Sequence, residues 1–111
     1  MKKHLVLMAM LALGASQAMA GGDVGNGKTL TEKYNCASCH GKDFNSPIDP
    51  SYPKLAGQHK DYLVHALIAY RRGDAANGRA NAIMAGQAKV LTNKDIADIS
   101  AYLHSLPGSL V

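Results

Sequence analysis

The segment Cys36-Ala37-Ser38-Cys39-His40 places two thiols on either side of two small residues and an imidazole directly after the second thiol. That order is the attachment signature of covalently bound haem. Each thiol adds across one haem vinyl group, and the two vinyls sit on neighbouring pyrroles. Two intervening residues in a helical turn set the sulfurs at that separation. The next residue, His40, is then placed to give its imidazole to the iron as the proximal ligand. Ala37 and Ser38 leave room for the porphyrin face. Three other readings compete. A zinc site takes about four N or S ligands, usually with a second cysteine pair, and this chain has only two cysteines. A thioredoxin-like redox pair sits in a βαβ setting, whereas the flanks here read as helices. A plain disulfide loop, permitted in an oxidising compartment, leaves His40 without a role.

Haem iron with His40 beneath it needs an account of its other side. Of the five methionines, Met1, Met8, Met10 and Met19 fall in the first 20 residues, and Met84 is the only other. It lies in Asn81-Ala82-Ile83-Met84-Ala85-Gly86, which reads as a loop able to reach over the distal face. A thioether opposite histidine favours reduced iron and raises the potential. Methionine is elsewhere an adaptable core filler, but here the haem calls for a distal neighbour and only Met84 offers sulfur. The rivals are His59, which opens a helix, His65, on a polar helix face, and His104, near the end of the last helix. Bis-histidine ligation, with His59 as donor, is the second choice, and an open sixth position the third.

The remaining elements follow from periodicity and stop signals. Asp23 is placed to cap a helix from Val24 to Asn35, on which Gly27, Leu30 and Tyr34 share a stripe; the glycine would let another helix come close. Gly41 to Leu55, with Pro47, Pro50 and Pro53, reads as a loop that can wrap a haem edge. The Pro53 carbonyl is free to accept from the Nδ1–H of His40, although spacing alone reads as an ordinary turn before a helix. A helix is expected from Lys60 to Arg72. Leu63, Ala66, Leu67 and Tyr70 form its buried face, Asp61, His65 and Arg72 its outer face, and Gly73 its stop. Asp74 to Val90 reads as a loop rich in Gly, Ala and Asn. Thr92-Asn93-Lys94-Asp95 resembles a capping box at the head of a helix to Leu106, striped by Ile96, Ile99, Leu103 and Leu106. Pro107-Gly108 ends it. The fold class is all-α, without a strand pattern, repeat or second domain.

Residues 1–20 read as a secretory signal peptide. Lys2 and Lys3 form its positive region, Leu5 to Leu13 its apolar run, and Ala18-Met19-Ala20 its small-x-small cleavage site. The run is shorter than the roughly 20 apolar residues that span a bilayer, so no transmembrane segment is expected once it is removed. The expected mature chain, 21–111, is a single periplasmic domain. Loss of Lys2 and Lys3 lowers the formal charge from +4 to +2, and two haem propionates would bring it near neutral. The basic residues are scattered, so the charge gives no ground for nucleic-acid binding. A core of this size is marginal, and small domains commonly depend on a cofactor, metal or disulfide.

Taken together, Gly27, the Cys36–His40 motif, Tyr52-Pro53-Lys54-Leu55-Ala56-Gly57-Gln58, Met84, and Leu91 through Leu103 with Asp95-Ile96 and Ala101-Tyr102-Leu103 resemble the class I cytochromes c. The similarity is to the small bacterial periplasmic members and to one half of the dihaem ones. The resemblance implies three main helices around one covalently attached haem c. It implies that Cys36 and Cys39 carry the haem, that His40 and Met84 ligate its iron, and that Pro53 accepts from His40. It implies that Gly27, Leu30 and Tyr102 meet where the first and last helices cross. The function implied is one-electron transport, iron cycling between Fe(II) and Fe(III), with transient docking to a donor and to a terminal acceptor such as an oxidase or reductase of a respiratory chain. The lysine-rich face of mitochondrial cytochromes c is missing, so their docking rules do not transfer. A haem enzyme or gas sensor would instead need a vacant distal site and acid–base groups, for which the Met84 region offers only Arg79, Asn81 and Gln87.

Overall fold

Five helical segments and no strand occupy the residues that the computed structural model describes, 21–109: α1 (Val24–Lys33), α2 (Ala37–His40), α3 (Lys60–Arg72), α4 (Ala82–Ala88) and α5 (Asn93–Ser105). The expected signal peptide lies outside the described residues. Among the described residues, no helix is long and apolar enough to cross a membrane.

Helix α1 begins where the Asp23 carboxylate accepts from the Asn26 N–H at 2.9 Å. It stops two residues before the expected Asn35, because Asn35 turns left-handed at φ 57°, a conformation asparagine tolerates better than most residues. Asn35 N–H then donates to the Glu32 carbonyl and Cys36 N–H to the Thr31 carbonyl, at 3.2 and 3.0 Å. This is the paired-bond stop of a Schellman motif. It hands the chain at once to α2, so the end of one helix sets the start of the Cys36–His40 turn.

Helix α5 has the capping box that its sequence predicts: Asp95 N–H donates to Thr92 Oγ1 at 3.1 Å and Thr92 N–H to Asp95 Oδ2 at 3.0 Å. Ile96, Ile99 and Leu103 are buried on its inner stripe. Its other buried side packs on α1. Contact there is backbone-close at Gly27, where a β-carbon would stand 2.0 Å from the Asp98 carbonyl oxygen and 2.8 Å from Tyr102 Cβ. Leu30 and Tyr102 join the same apolar cluster. The first and last long helices therefore meet at Gly27, Leu30 and Tyr102.

Helix α3 has the bounds that its sequence predicts, with Leu63 and Ala66 buried, and it packs against both α4 and α5. The loop between α2 and α3 folds back on itself. Gly41 takes φ 91°, and a β-carbon there would come 2.3 Å from the Ser46 carbonyl oxygen, so only glycine fits. Phe44 is buried, its ring edge-on to Tyr102, and its carbonyl accepts from the N–H groups of Leu55 and Ala56. That pairing brings Pro53 back over His40.

Candidate functional site

The helices leave a cleft of about 1220 Å³, counting the solvent at its mouth. Leu55, Leu63, Leu67, Leu91, Ile99 and Leu103 give it aliphatic walls. Much of what the apolar stripes of α3 and α5 promise as core thus also lines this cleft. Cys36, Cys39 and His40 reach it from α2 and its cap, Met84 from α4, and Pro53 from the loop. All five residues singled out by the sequence line one space.

The α2 turn is held by the Cys36 carbonyl, which accepts from the N–H groups of Cys39 and His40 at 3.3 and 3.2 Å. Both cysteines are half-buried free thiols. Burial pushes the Cys36 thiol above its ordinary value, more than its backbone hydrogen bond lowers it. Thiol–disulfide exchange wants the opposite, an N-terminal cysteine that ionises easily, so the redox-thiol reading loses ground.

His40 is buried, with Nδ1 2.9 Å from the Pro53 carbonyl oxygen. A carbonyl can only accept, so the shared proton sits on Nδ1. The other ring nitrogen, Nε2, is left with its lone pair for the cleft. Tyr52 lies beside the ring, centroids 6.3 Å apart.

Met84 differs from expectation in its setting. It lies in the first turn of α4, not in a loop. The Asn81 side chain starts that helix by accepting from the Met84 N–H at 3.0 Å. About two turns, seven residues of which four are Ala or Gly and only Ala88 is buried, show too little apolar periodicity to read as a helix. The asparagine cap three residues before Met84 is the signal that could have found it.

His59, His65 and His104 are all exposed and none lines the cleft; His104 Nδ1 instead meets the Gln58 carbonyl at 2.8 Å. Asn81 and Gln87 do line it, but the Asn81 oxygen is taken by its capping bond. Arg79 does not face the cleft. Tyr34 and Tyr70, on the cleft wall, carry no motif that would have marked them as such.

Two free thiols, an imidazole with a committed tautomer and a thioether, set in an aliphatic slot, suit a flat, apolar macrocycle that carries a metal. They do not suit a bare ion: among the described residues no group of three or more His, Cys, Asp or Glu side chains gathers to hold one. An all-helical chain folded around such a slot, with the attachment motif at its wall, is a c-type cytochrome.

The chain belongs to the cytochrome c family, whose model matches residues 24–107. Membership brings covalently bound haem c with its iron. Cytochrome c4 of Stutzerimonas stutzeri is 36% identical over 117 residues, which take in 99% of this chain and 53% of that protein. Cytochrome c-554(548) of Halomonas halodenitrificans is 44% identical over 70 residues, 63% of this chain and 82% of that one. The crystal structure of reduced recombinant cytochrome c4 from Pseudomonas stutzeri superposes with a TM-score of 0.71 at 35% identity, over 80% of this chain and 48% of that one. The chain thus spans about half the length of the cytochrome c4 relatives it matches, in keeping with its likeness to one half of a dihaem protein.

Proposed function

We propose that this chain is a periplasmic one-electron carrier of a respiratory chain. It holds one haem c through thioethers to Cys36 and Cys39, with His40 as proximal and Met84 as distal iron ligand. The observation that carries this reading is the bond from His40 to the Pro53 carbonyl, which fixes the tautomer and the ring plane and leaves Nε2 as the donor. When bound, the haem supplies a metal that gains or loses one electron.

The protein's own share is to hold the axial donors from two separate elements, α2 and α4, and to exclude water with the aliphatic walls. With His40 and Met84 both holding the iron, the aliphatic slot would leave no place there for a substrate. Asn81 caps α4 by accepting from the Met84 N–H, and an amide does not titrate near neutral pH, so its side chain supplies no acid–base group of the kind an enzyme would need. A redox partner would reach the bound group at the mouth of the cleft, beside Ile83. Docking there by a donor or acceptor is expected to be small and transient.

The test is a visible spectrum of the oxidised and reduced holoprotein together with Met84→Ala. The variant should keep its haem through denaturing electrophoresis, lose the weak near-red band of a methionine–iron bond, show a lower potential and bind carbon monoxide when reduced. A variant with the parent's band and potential would remove Met84 from the iron. A parent lacking the band, with rapid carbon monoxide binding, would replace the carrier with a haem enzyme or sensor.

A further inference from the structure

The chain segment that bears Met84 is tied to α3 at both ends by an arginine. Ahead of α4, the Arg79 N–H donates to the Ala69 carbonyl of α3 at 2.9 Å. The Arg79 guanidinium carbon stands 5.2 Å from the centroid of the Tyr70 ring and 5.6 Å from that of Tyr62, and Nη2 reaches Tyr62 Oη at 3.4 Å. Beyond α4, Arg71 extends from the last turn of α3. Its Nη1 donates to the Leu91 carbonyl at 3.0 Å and its Nη2 to Asn93 Oδ1 at 2.6 Å. Neither arginine pairs with a carboxylate: the ion pair among the described residues joins Lys94 and Asp98. The Arg79 guanidinium is committed to the Tyr62 and Tyr70 rings of α3, and Arg71 to the Leu91 carbonyl beyond α4 and to Asn93 at the start of α5.

Helix α4 has little of its own to hold it. Against the rest of the protein it buries only Ala88 and has open space around Gly86. Its position relative to the cleft therefore depends on what grips its flanks. Tyr70 is the direct link, because one face meets Arg79 while the residue also lines the cleft. The geometry points to Arg71 and Arg79 as paired positioning residues: two staples that set how far Met84 reaches into the cleft and so how readily its thioether leaves the iron. This rests on the reading of Met84 as distal ligand.

The experiment uses the oxidised holoprotein and the variants Arg71→Leu, Arg79→Leu, Arg79→Lys and Tyr62→Leu. Each is heated while the near-red band and the far-ultraviolet helical signal are followed together, and carbon monoxide binding to the reduced form is timed. A merely structural role would lower both transitions in step. The staples should lower the temperature of band loss well before the helices melt, and raise the carbon monoxide rate about tenfold in each Leu variant, the change expected for losing contacts of this strength. Arg79→Lys should fall between, because an ammonium keeps attraction to the rings but loses planar stacking and the fork of donors. If Arg79→Leu yields no holoprotein, Tyr62→Leu carries the test, since Tyr62 is 49% exposed and does not line the cleft. The pair is overturned if either the Arg71 site or the Arg79–Tyr62 site gives band loss in step with melting, or an unchanged carbon monoxide rate. A parent without the band would instead mean that Met84 ligation itself is wrong, which Met84→Ala reports separately.

Discussion

Asp98 keeps only 2% of its surface in water and is nevertheless a carboxylate. Burial pushes its carboxyl up, but hydrogen bonds from Lys94 Nζ, Asn26 Nδ2 and the Asp23 N–H outweigh that and hold it below the ordinary carboxylate value. A group bound more tightly as an anion in the folded state stabilises the fold fully above its unfolded value, about 3.9, and loses that contribution as pH falls through its lower folded value. The parent should therefore lose more stability than Asp98→Ala on acidification below about pH 4. At neutral pH, Asp98→Ala strands the Asp23 N–H and the Asn26 amide and should cost about 2–3 kcal/mol, roughly a 10 °C fall in melting temperature for a domain this small. Circular dichroism melts of the holoprotein across pH check both. Lys94→Ala should do far less, since Lys94 is 64% exposed. At this scale the haem motif was legible because covalent chemistry ties residue types to a spacing within five positions. Asp98 was not: one of its partners lies 75 positions away, and local periodicity cannot distinguish such an acid from one on a solvated face.

The terminal helices test the balance between propensity and fit. Alanine favours a helix over glycine by about 1 kcal/mol, so Gly→Ala in a helix should stabilise wherever space allows. At Gly86 in α4 nothing lies within 4 Å of an added β-carbon, and Gly86→Ala should gain about 0.5–1 kcal/mol. At Gly27 the same methyl meets a backbone carbonyl at 2.0 Å. That oxygen cannot swing aside as a side chain could, so α1 and α5 must part. Gly27→Ala should lose about 1–3 kcal/mol net. Guanidinium unfolding of both holoproteins reads opposite signs for one chemical change, and a stable Gly27→Ala would mean that the crossing is looser than the geometry states. Elements with a continuous apolar stripe, α3 and α5, could be read from the sequence nearly to the residue. Helix α4 could not, because it is fixed by its cap and flanks instead of by a stripe, and the end of α1 was missed by two residues because asparagine, not glycine, makes its left-handed stop.

For the molecule as a whole, the apolar patterning specifies walls as much as a core. Periodicity cannot tell whether Leu63, Leu67, Leu91, Ile99 and Leu103 pack on one another or on a ring held between them, so the all-α class was legible and the slot inside it came from the Cys36–His40 motif. The difference has an energetic consequence. Without the ring those aliphatic walls would face water instead of an apolar partner, a serious loss for a small domain whose whole stability is about 5–15 kcal/mol. A chain deprived of haem, such as Cys36→Ser with Cys39→Ser, should therefore collapse its walls or fail to fold, with weakened far-ultraviolet helical signal and no sharp thermal transition. The holoprotein should melt cooperatively. A haem-free double variant with the parent's helicity and a sharp transition would show that the α1–α5 crossing and the loop held by Phe44 support the slot unaided, and that the cofactor is a passenger in a fold that stands without it.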